Sequence, residues 1–272
     1  MARMRTAFIK MHGLGNDFIV LDGRDQALPV LTAPLARALA DRQTGIGCDQ
    51  LVLLEPSTAA DVRMRIFNAD GSEVSACGNA TRAVARLLGG PARIETAAGL
   101  LTAAPADGGI AVDMGRPRLG WEDIPLAYPM DTLSMPVGWE DLENPAAVNV
   151  GNPHAIFFVP DCDAVPLDRL GPLIEKDPIF PERVNANVAT VEARDAIRLR
   201  VWERGAGLTR ACGTGACATA VAAMRRGLVD RSVTVHLPGG ALRIGWDQDD
   251  SITMTGPAVE SFRGSFEAED YL

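Results

Sequence analysis

Apolar and polar residues alternate in short runs along the chain, and two of these runs share their surroundings. Residues 62–67 read VRMRIF and residues 197–202 read IRLRVW, a period of two that is typical of a strand with one buried face. Each run is followed by a polar, glycine-containing turn, a cysteine and an apolar segment with helical spacing. The pattern predicts a strand, a turn and a helix in each half, with Cys77 and Cys212 at the two helix starts.

The similarity continues on both sides of these helices. Residues 13–22, 92–103 and 110–119 of the first half match residues 150–161, 233–244 and 252–261 of the second in their strand and turn patterns. The two cysteines are 212 − 77 = 135 positions apart, close to half of the 272 residues. This internal duplication predicts an α+β protein of two pseudo-symmetric domains, each a mostly antiparallel sheet wrapped around a central helix.

The boundary between the two domains is predicted from the distribution of proline. Five prolines interrupt residues 117–147, which favours a linker in this stretch. We place one domain at residues 1–125, carrying Cys77, and the other at residues 126–272, carrying Cys212.

Composition narrows the class of protein. A hydrophobic content of 47% with 22% charged residues is typical of a folded globular chain, and a net charge of −9 disfavours a nucleic-acid partner. No stretch approaches the about 18 to 20 apolar residues of a membrane helix, and the basic N-terminus lacks the apolar run of a signal peptide. We expect a cytoplasmic protein that acts on a small molecule, with neither a nucleic-acid nor a membrane partner.

The five cysteines differ in their sequence surroundings. Their odd number and scattered positions argue against a disulfide framework. Cys162 and Cys217 are expected to be small buried side chains, and Cys48 lies in a predicted loop. Cys77 and Cys212 stand apart, because unpaired N–H groups at a helix start lower the pKa of a neighbouring thiol and can also bind a carboxylate.

Metal, redox and cofactor sites fit this sequence less well. A zinc site would need closely spaced cysteine or histidine ligands, whereas the three histidines are dispersed, and a redox pair would be expected as C-x-x-C, which does not occur. Only Lys10 and Lys176 could form a Schiff base with pyridoxal phosphate, and neither has a phosphate-binding glycine loop beside it. We expect no metal and no cofactor.

Two thiols at two helix starts suit one reaction in particular. Inversion of a stereocentre beside a carboxylate requires one group to remove the proton and another, on the opposite face, to return one. If the two halves face each other about a pseudo-twofold axis, a thiolate and a thiol can share these tasks while the helix N-termini stabilise the charge that develops. The residues therefore favour a two-base epimerase.

Six segments, taken together and in this order, resemble the diaminopimelate epimerase family. They are KMHGLGNDF (10–18), FNADGSEVSACGN (67–79), GNPH (151–154), PERVN (181–185), ERGAGLTRACGTGAC (203–217) and MTGPA (254–258). The resemblance implies an isomerase that interconverts LL- and meso-diaminopimelate in lysine and peptidoglycan-precursor biosynthesis, without pyridoxal phosphate. We also expect a homodimer.

The resemblance also implies roles for individual residues. The paired catalytic cysteines fall on Cys77 and Cys212, and His154 and Glu203 match positions that assist the chemistry. The implied substrate-binding residues are Asn16, Gln50, Asn68, Gly78, Asn79, Asn152, Asn185, Glu203, Arg204, Gly213 and Thr214. Arg204 could clamp a second carboxylate while Glu203 and the asparagines hold ammonium groups. The chain has Ala80 where the family commonly has glycine.

Two other functions stay open from the residues. A related isomerase of the same duplicated fold could act on proline, hydroxyproline, histidine or a phenazine precursor. Such a substrate would have no need of Arg204, Asn152 and Asn185 at its far end. A non-catalytic amino-acid-binding module would have no reason to keep both thiols.

Overall fold

The chain divides into two compact units in its computed structural model, which describes residues 5–74 and 77–271. The first unit comprises Met1–Val112 and Gly256–Leu272, and the second unit is Asp113–Thr255. Among the described residues, no helix has both the length and the apolar character that crossing a membrane requires. The division differs from the predicted boundary, since residues 113–125 lie in the second unit and residues 256–272 in the first.

The first unit begins with a tight hairpin and contains one central helix. Its elements are β1 (Arg5–Gly13), β2 (Asn16–Asp22), α1 (Ala33–Ala40), β3 (Gln50–Glu55), β4 (Val62–Asn68), β5 (Glu73–Val74), α2 (Gly78–Leu88), β6 (Ala92–Thr96), β7 (Gly99–Ala106) and β8 (Gly109–Asp113). Leu14 and Gly15 connect β1 to β2 with φ of 58° and 89°, the left-handed pair that a two-residue hairpin turn requires.

The second unit repeats this order after an initial irregular segment. Its elements are β9 (Gly138–Trp139), β10 (Leu142–Glu143), β11 (Ala146–Asn149), β12 (Pro153–Phe158), α3 (Leu167–Glu175), β13 (Asn185–Ala193), β14 (Ala196–Glu203), β15 (Gly207–Thr209), α4 (Gly213–Arg225), β16 (Ser232–Leu237), β17 (Gly240–Trp246) and β18 (Ile252–Gly256). The segment predicted as a linker packs into the core of this unit through Ile124, Leu126, Met135 and Leu142.

The last strand, β19 (Val259–Glu267), explains why the C-terminal residues belong to the first unit. It pairs antiparallel with β1, and the register sets Arg5 opposite Glu267 and His12 opposite Val259. This strand was not predicted from the sequence, and its partner lies about 250 residues away in the chain.

The duplication predicted from the sequence is visible in the strand pairings. In the first unit β2 and β3 are parallel, β3 and β4 antiparallel, β4 and β6 parallel, and β6 and β7 antiparallel. In the second unit β12 and β13, β13 and β14, β14 and β16, and β16 and β17 repeat these directions in the same order. The predicted α+β class of two duplicated, mostly antiparallel halves is confirmed.

One helix in each unit packs into the sheet with small side chains. Ala80, Ala83, Val84 and Ala85 of α2 are fully buried, and most of α4 is buried as well. Small residues let a helix backbone approach its neighbours closely, so each helix start is held at a fixed depth.

Candidate active site

Cys77 and Cys212 are the N-cap residues of α2 and α4. The sulfur of Cys212 accepts a hydrogen bond from the backbone N–H of Gly215 at 3.3 Å and lies 3.5 Å from the hydroxyl of Thr214. Cys77 is half-buried, whereas Cys212 is buried. The predicted pair of helix starts is thus present, with the two sulfurs differing in their exposure.

The pKa of Cys212 departs from the sequence-based expectation. Burial raises the pKa of this thiol well above its ordinary value, and the negative charge of Glu203 raises it further. The bonds from Thr214 and Gly215 act in the opposite direction but are smaller effects. The N–H groups at the helix start therefore do not by themselves make a thiolate, and the surroundings of Cys212 favour its protonated form.

In the first unit, the predicted binding residues Gln50 and Asn68 lie opposite each other on β3 and β4. The Gln50 amide donates to Asn68 Oδ1 at 3.0 Å, and the Asn68 amide donates to Ser72 Oγ at 3.1 Å. The side-chain amide oxygen of Gln50 is buried without a hydrogen-bond partner. An unsatisfied buried acceptor is suited to receive a donor from a ligand.

Asn16 and Asn79, also predicted from the sequence, are bonded to each other. The Asn79 amide donates to Asn16 Oδ1 at 3.1 Å, and the Asn16 amide donates to Asp49 Oδ2 at 3.0 Å. The fully buried Arg82 donates to Asn79 Oδ1 at 2.8 Å. Sequence reasoning missed Arg82 and Asp49, although a charged residue inside the apolar face of α2 was a signal for Arg82.

Asp49 belongs to a charge cluster that fixes the start of β2. Arg42 bonds to both Asp17 and Asp49, and Lys10 forms an ion pair with Asp17 at 2.6 Å. Burial tends to raise the pKa of Asp17, but the hydrogen bonds from Arg42 and Lys10 outweigh it and lower that pKa to about 2. Asp17 is therefore charged at neutral pH.

In the second unit, Asn185 connects two chain segments. Its amide donates to the Pro153 carbonyl at 2.9 Å, and its oxygen accepts from the backbone N–H of Arg204 at 2.8 Å. The Arg204 guanidinium is exposed and donates to the Glu182 carbonyl at 2.7 Å. Thr209 donates to the Glu203 carboxylate at 2.5 Å. These bonds set the backbone at the end of β14.

His154 is fully buried, and both of its ring nitrogens contact protein side chains. Nε2 lies 3.0 Å from Asn152 Oδ1, and Nδ1 lies 3.2 Å from Asn187 Oδ1. Burial lowers the pKa of His154 to about 4, and the charge of Arg204 acts in the same direction. The ring is therefore neutral at neutral pH. Asn187 was not predicted from the sequence.

Arg204 and Asn152 line an open cavity of about 390 Å³ within the second unit. The other residues around it are mostly polar or charged: Arg118, Glu122, Asp123, Pro125, Asn149, Gly151, Pro153 and Glu182. Both signs of charge are present, which suits a ligand that carries both an ammonium group and a carboxylate.

The predicted residues fall into two sets that the duplication relates. An offset of 135 positions takes Gln50 to Asn185, Asn68 to Glu203, Cys77 to Cys212, and the first helical residues Gly78 and Asn79 to Gly213 and Thr214. Asn16 and Asn152 precede or begin the equivalent strands β2 and β12. Each unit therefore contains one thiol, one helix start and a group of polar side chains.

The described residues include one cluster with the donor atoms of a metal site. The ligand atoms of Asp161, Cys162 and Asp163 lie within 4.8 Å of one another. Arg198 is bonded to both carboxylates, so its positive charge occupies the place that a cation would take. For a Schiff base, the Lys10 amine is held by Asp17, and Lys176 is exposed at the end of α3.

Comparison with known proteins gives a consistent result. A family model described as diaminopimelate epimerase matches residues 8–120 and 146–260. The chain is 69% identical to the diaminopimelate epimerase of Erythrobacter litoralis (98% of this chain, 100% of the relative) and 67% identical to that of Rhizorhabdus wittichii (95% and 94%). Among solved structures, a hydroxyproline epimerase from Agrobacterium vitis has the same fold, with a TM-score of 0.70 at 18% identity (98% of this chain, 92% of that chain).

Proposed function

Because the chain belongs to the diaminopimelate epimerase family, we propose that it interconverts LL- and meso-diaminopimelate in lysine and peptidoglycan-precursor biosynthesis. The observation that carries this proposal is the pair of cysteine N-caps at equivalent positions of two duplicated units. The family match spans both units, and the match to the Erythrobacter protein extends over nearly the whole chain.

Cys77 and Cys212 act as the two acid–base groups of the reaction. The thiolate takes the α-proton, the electron pair of the broken C–H bond passes to the carbanion and its carboxylate, and the thiol delivers a proton to the opposite face. Since burial and the charge of Glu203 raise the pKa of Cys212, we assign it the role of the acid and Cys77 that of the base. The roles exchange after each turnover, because the base ends protonated and the acid does not.

The helix starts and the strand ends bind the substrate. The N–H groups at the first turns of α2 and α4, including those of Gly78, Asn79, Gly213 and Thr214, stabilise the carboxylate of the reacting carbon. Arg204 binds the carboxylate of the other end. The ammonium groups of the substrate are bound and positioned by the polar side chains of Gln50, Asn68, Asn16, Asn152, Asn185 and Glu203. His154 assists through Asn152.

Several broader properties accompany this proposal. The enzyme works without pyridoxal phosphate, since Lys10 is held in an ion pair and Lys176 is exposed. It acts in the cytoplasm, where the cysteines stay reduced.

The enzyme forms a homodimer, for which the exposed apolar Val259 and Phe262 of β19 provide a surface. Sedimentation at several protein concentrations tests the dimer.

The decisive experiment follows hydrogen exchange at the α-carbon. Reduced protein is incubated with LL-diaminopimelate in D₂O without added cofactor, and deuterium uptake and formation of the meso isomer are followed by NMR. We expect both, with no exchange of L-proline or trans-4-hydroxy-L-proline under the same conditions. Exchange of either cyclic amino acid instead of diaminopimelate would assign the chain to a related isomerase activity.

A further inference from the structure

Three polar side chains are buried where α4 packs against β12 and β13, and the equivalent residues of the first unit are apolar. His154, Asn187 and Thr219 are all fully buried. Their equivalents by strand register and helix position are Phe18, Val52 and Val84, which are fully buried as well. Burying polar side chains costs free energy unless all their groups are bonded, so the duplication shows that this site could have been built without them.

The bonds of Asn187 determine which way its amide points. Its nitrogen donates to the carbonyl oxygen of Gly215 and to the hydroxyl of Thr219, both at 3.0 Å. A carbonyl can only accept, so the amide nitrogen must face α4 and the amide oxygen must face the ring of His154. Asn187 thus links the first turn of α4, next to Cys212, to the histidine.

This orientation determines where His154 carries its proton. The oxygen of Asn187 is an acceptor 3.2 Å from Nδ1, so Nδ1 holds the hydrogen. In the neutral ring Nε2 is then an acceptor, and it lies 3.0 Å from the side-chain amide of Asn152. Two acceptors repel each other, whereas the amino group of Asn152 can donate to Nε2 after a half-turn of the amide, which exchanges its oxygen and nitrogen.

We propose that Asn187 is a positioning residue that fixes the tautomer of His154 and, through it, turns the amide oxygen of Asn152 toward the cavity. There the oxygen accepts a hydrogen bond from the ammonium group at the non-reacting end of the substrate, while Arg204 binds the carboxylate of the same end. This inference rests on the proposed function. Asn187 contributes to substrate specificity without touching the substrate.

The proton position is tested first, by ¹⁵N NMR of histidine-labelled protein. The chain has three histidines, so His12→Gln and His236→Gln variants assign the His154 signals. We expect a neutral ring with the proton on Nδ1 at pH 7, and a shift toward the Nε2–H form in Asn187→Val/Thr219→Val. A wild-type ring protonated on Nε2 would overturn the proposal even if the double variant does not fold.

The second measurement compares diaminopimelate with 2-aminopimelate, which lacks the distal amino group. We expect Asn187→Val/Thr219→Val to raise KM for diaminopimelate on the order of tenfold, with little change in kcat, and to lose a similar factor of preference over 2-aminopimelate. Retention of the full wild-type preference in the folded double variant would overturn the proposal.

Thr190→Val is the matched control on the same strand. Thr190 is also a buried polar residue of β13, but its hydroxyl accepts from the backbone of Cys162, away from His154. We expect this variant to keep the wild-type tautomer and substrate preference; changes in both would show a general effect of core polarity and overturn the proposal. A wild-type protein inactive on diaminopimelate would overturn the proposed function, and the NMR result would still decide the link from Asn187 to His154.

Discussion

The start of α2 and the start of α4 are built from one repeated sequence pattern, yet they provide different chemical surroundings. Cys77 is half-buried and follows Asn68 by nine residues, whereas Cys212 is buried and follows Glu203 by nine residues. The third helical residue is Ala80 in one and Gly215 in the other. The comparison shows that a duplicated scaffold can place two thiols at equivalent positions while their burial and their polar neighbours differ.

The same contrast extends along the equivalent strands. The position after Asn68 is Ala69, and the position after Glu203 is Arg204, so a guanidinium is present in the second unit alone at this place in the repeat. The substrate proposed here has one reacting and one non-reacting end, and a site for it must itself be asymmetric. We infer that the second unit carries the groups that recognise the far end.

The largest expected effect comes from removing either thiol. Cys77→Ala and Cys212→Ala should each lower the rate of epimerisation by roughly 10³-fold or more, because one face of the α-carbon then lacks the group that removes or returns the proton. Cys217→Ala, on α4 itself, and Cys162→Ala are the controls and should stay active. Equal rates for Cys77→Ala and wild type, measured as meso isomer formed, would rule out a two-base mechanism.

His154→Phe introduces the residue type of Phe18, which occupies the equivalent position of the first unit. This variant should change how the free energy of unfolding depends on pH. The pKa of His154 is about 4 when folded and about 6.5 when solvated, so the unfolded chain binds more protons between these values. The contribution of the neutral ring, about 3 kcal/mol, is present above pH 6.5 and lost as the pH falls toward 4.

Urea unfolding at several pH values between 4 and 7.5 measures this effect. The difference in unfolding free energy between wild type and His154→Phe should shrink as the pH falls. His236→Gln is the control, because that ring is exposed in the folded protein. A difference that is constant across this range would mean that His154 is not held neutral by its burial.

Arg204→Lys removes the guanidinium that distinguishes the two units and keeps the charge. We expect KM for diaminopimelate to rise by roughly 10- to 100-fold, since an ammonium cannot bind a carboxylate through two parallel hydrogen bonds. Arg194→Lys, in an exposed ion pair with Asp230, should leave KM unchanged. Calorimetry that finds the same substrate affinity in Arg204→Lys and wild type would leave Arg204 as a surface charge.

The smallest effects are expected from exchanging the third helical residues. A Cβ at Gly215 would lie 3.0 Å from Val201 and 3.2 Å from the Cys212 sulfur, so Gly215→Ala should displace the sulfur slightly and lower kcat by about tenfold or less. Ala80→Gly should instead cost about 0.5–1 kcal/mol of stability with kcat retained. Similar losses of kcat in both variants would mean that the third helical residue has the same effect at the start of α2 as at the start of α4.

Much of the candidate site could be predicted from the sequence, because its parts follow local rules. The spacing of apolar residues predicts Cys77 and Cys212 at helix starts, and both are N-cap residues in the structure. The roles of the binding residues stay predictions. Asn187 was missed, because a polar residue on a buried strand face is recognised only when the atoms that bond to it are known.

The strands of the repeat, the two central helices, the duplication and the two thiols can be read from the sequence, since alternation, helical spacing and a repeat at 135 positions depend only on near neighbours or on comparison of the chain with itself. The pairing of β19 with β1, the raised pKa of Cys212 and the lowered pKa of His154 follow only from the tertiary structure. These depend on burial and on contacts between residues distant in the chain, where the loss of water changes the free energy of a charge more than any local pattern does.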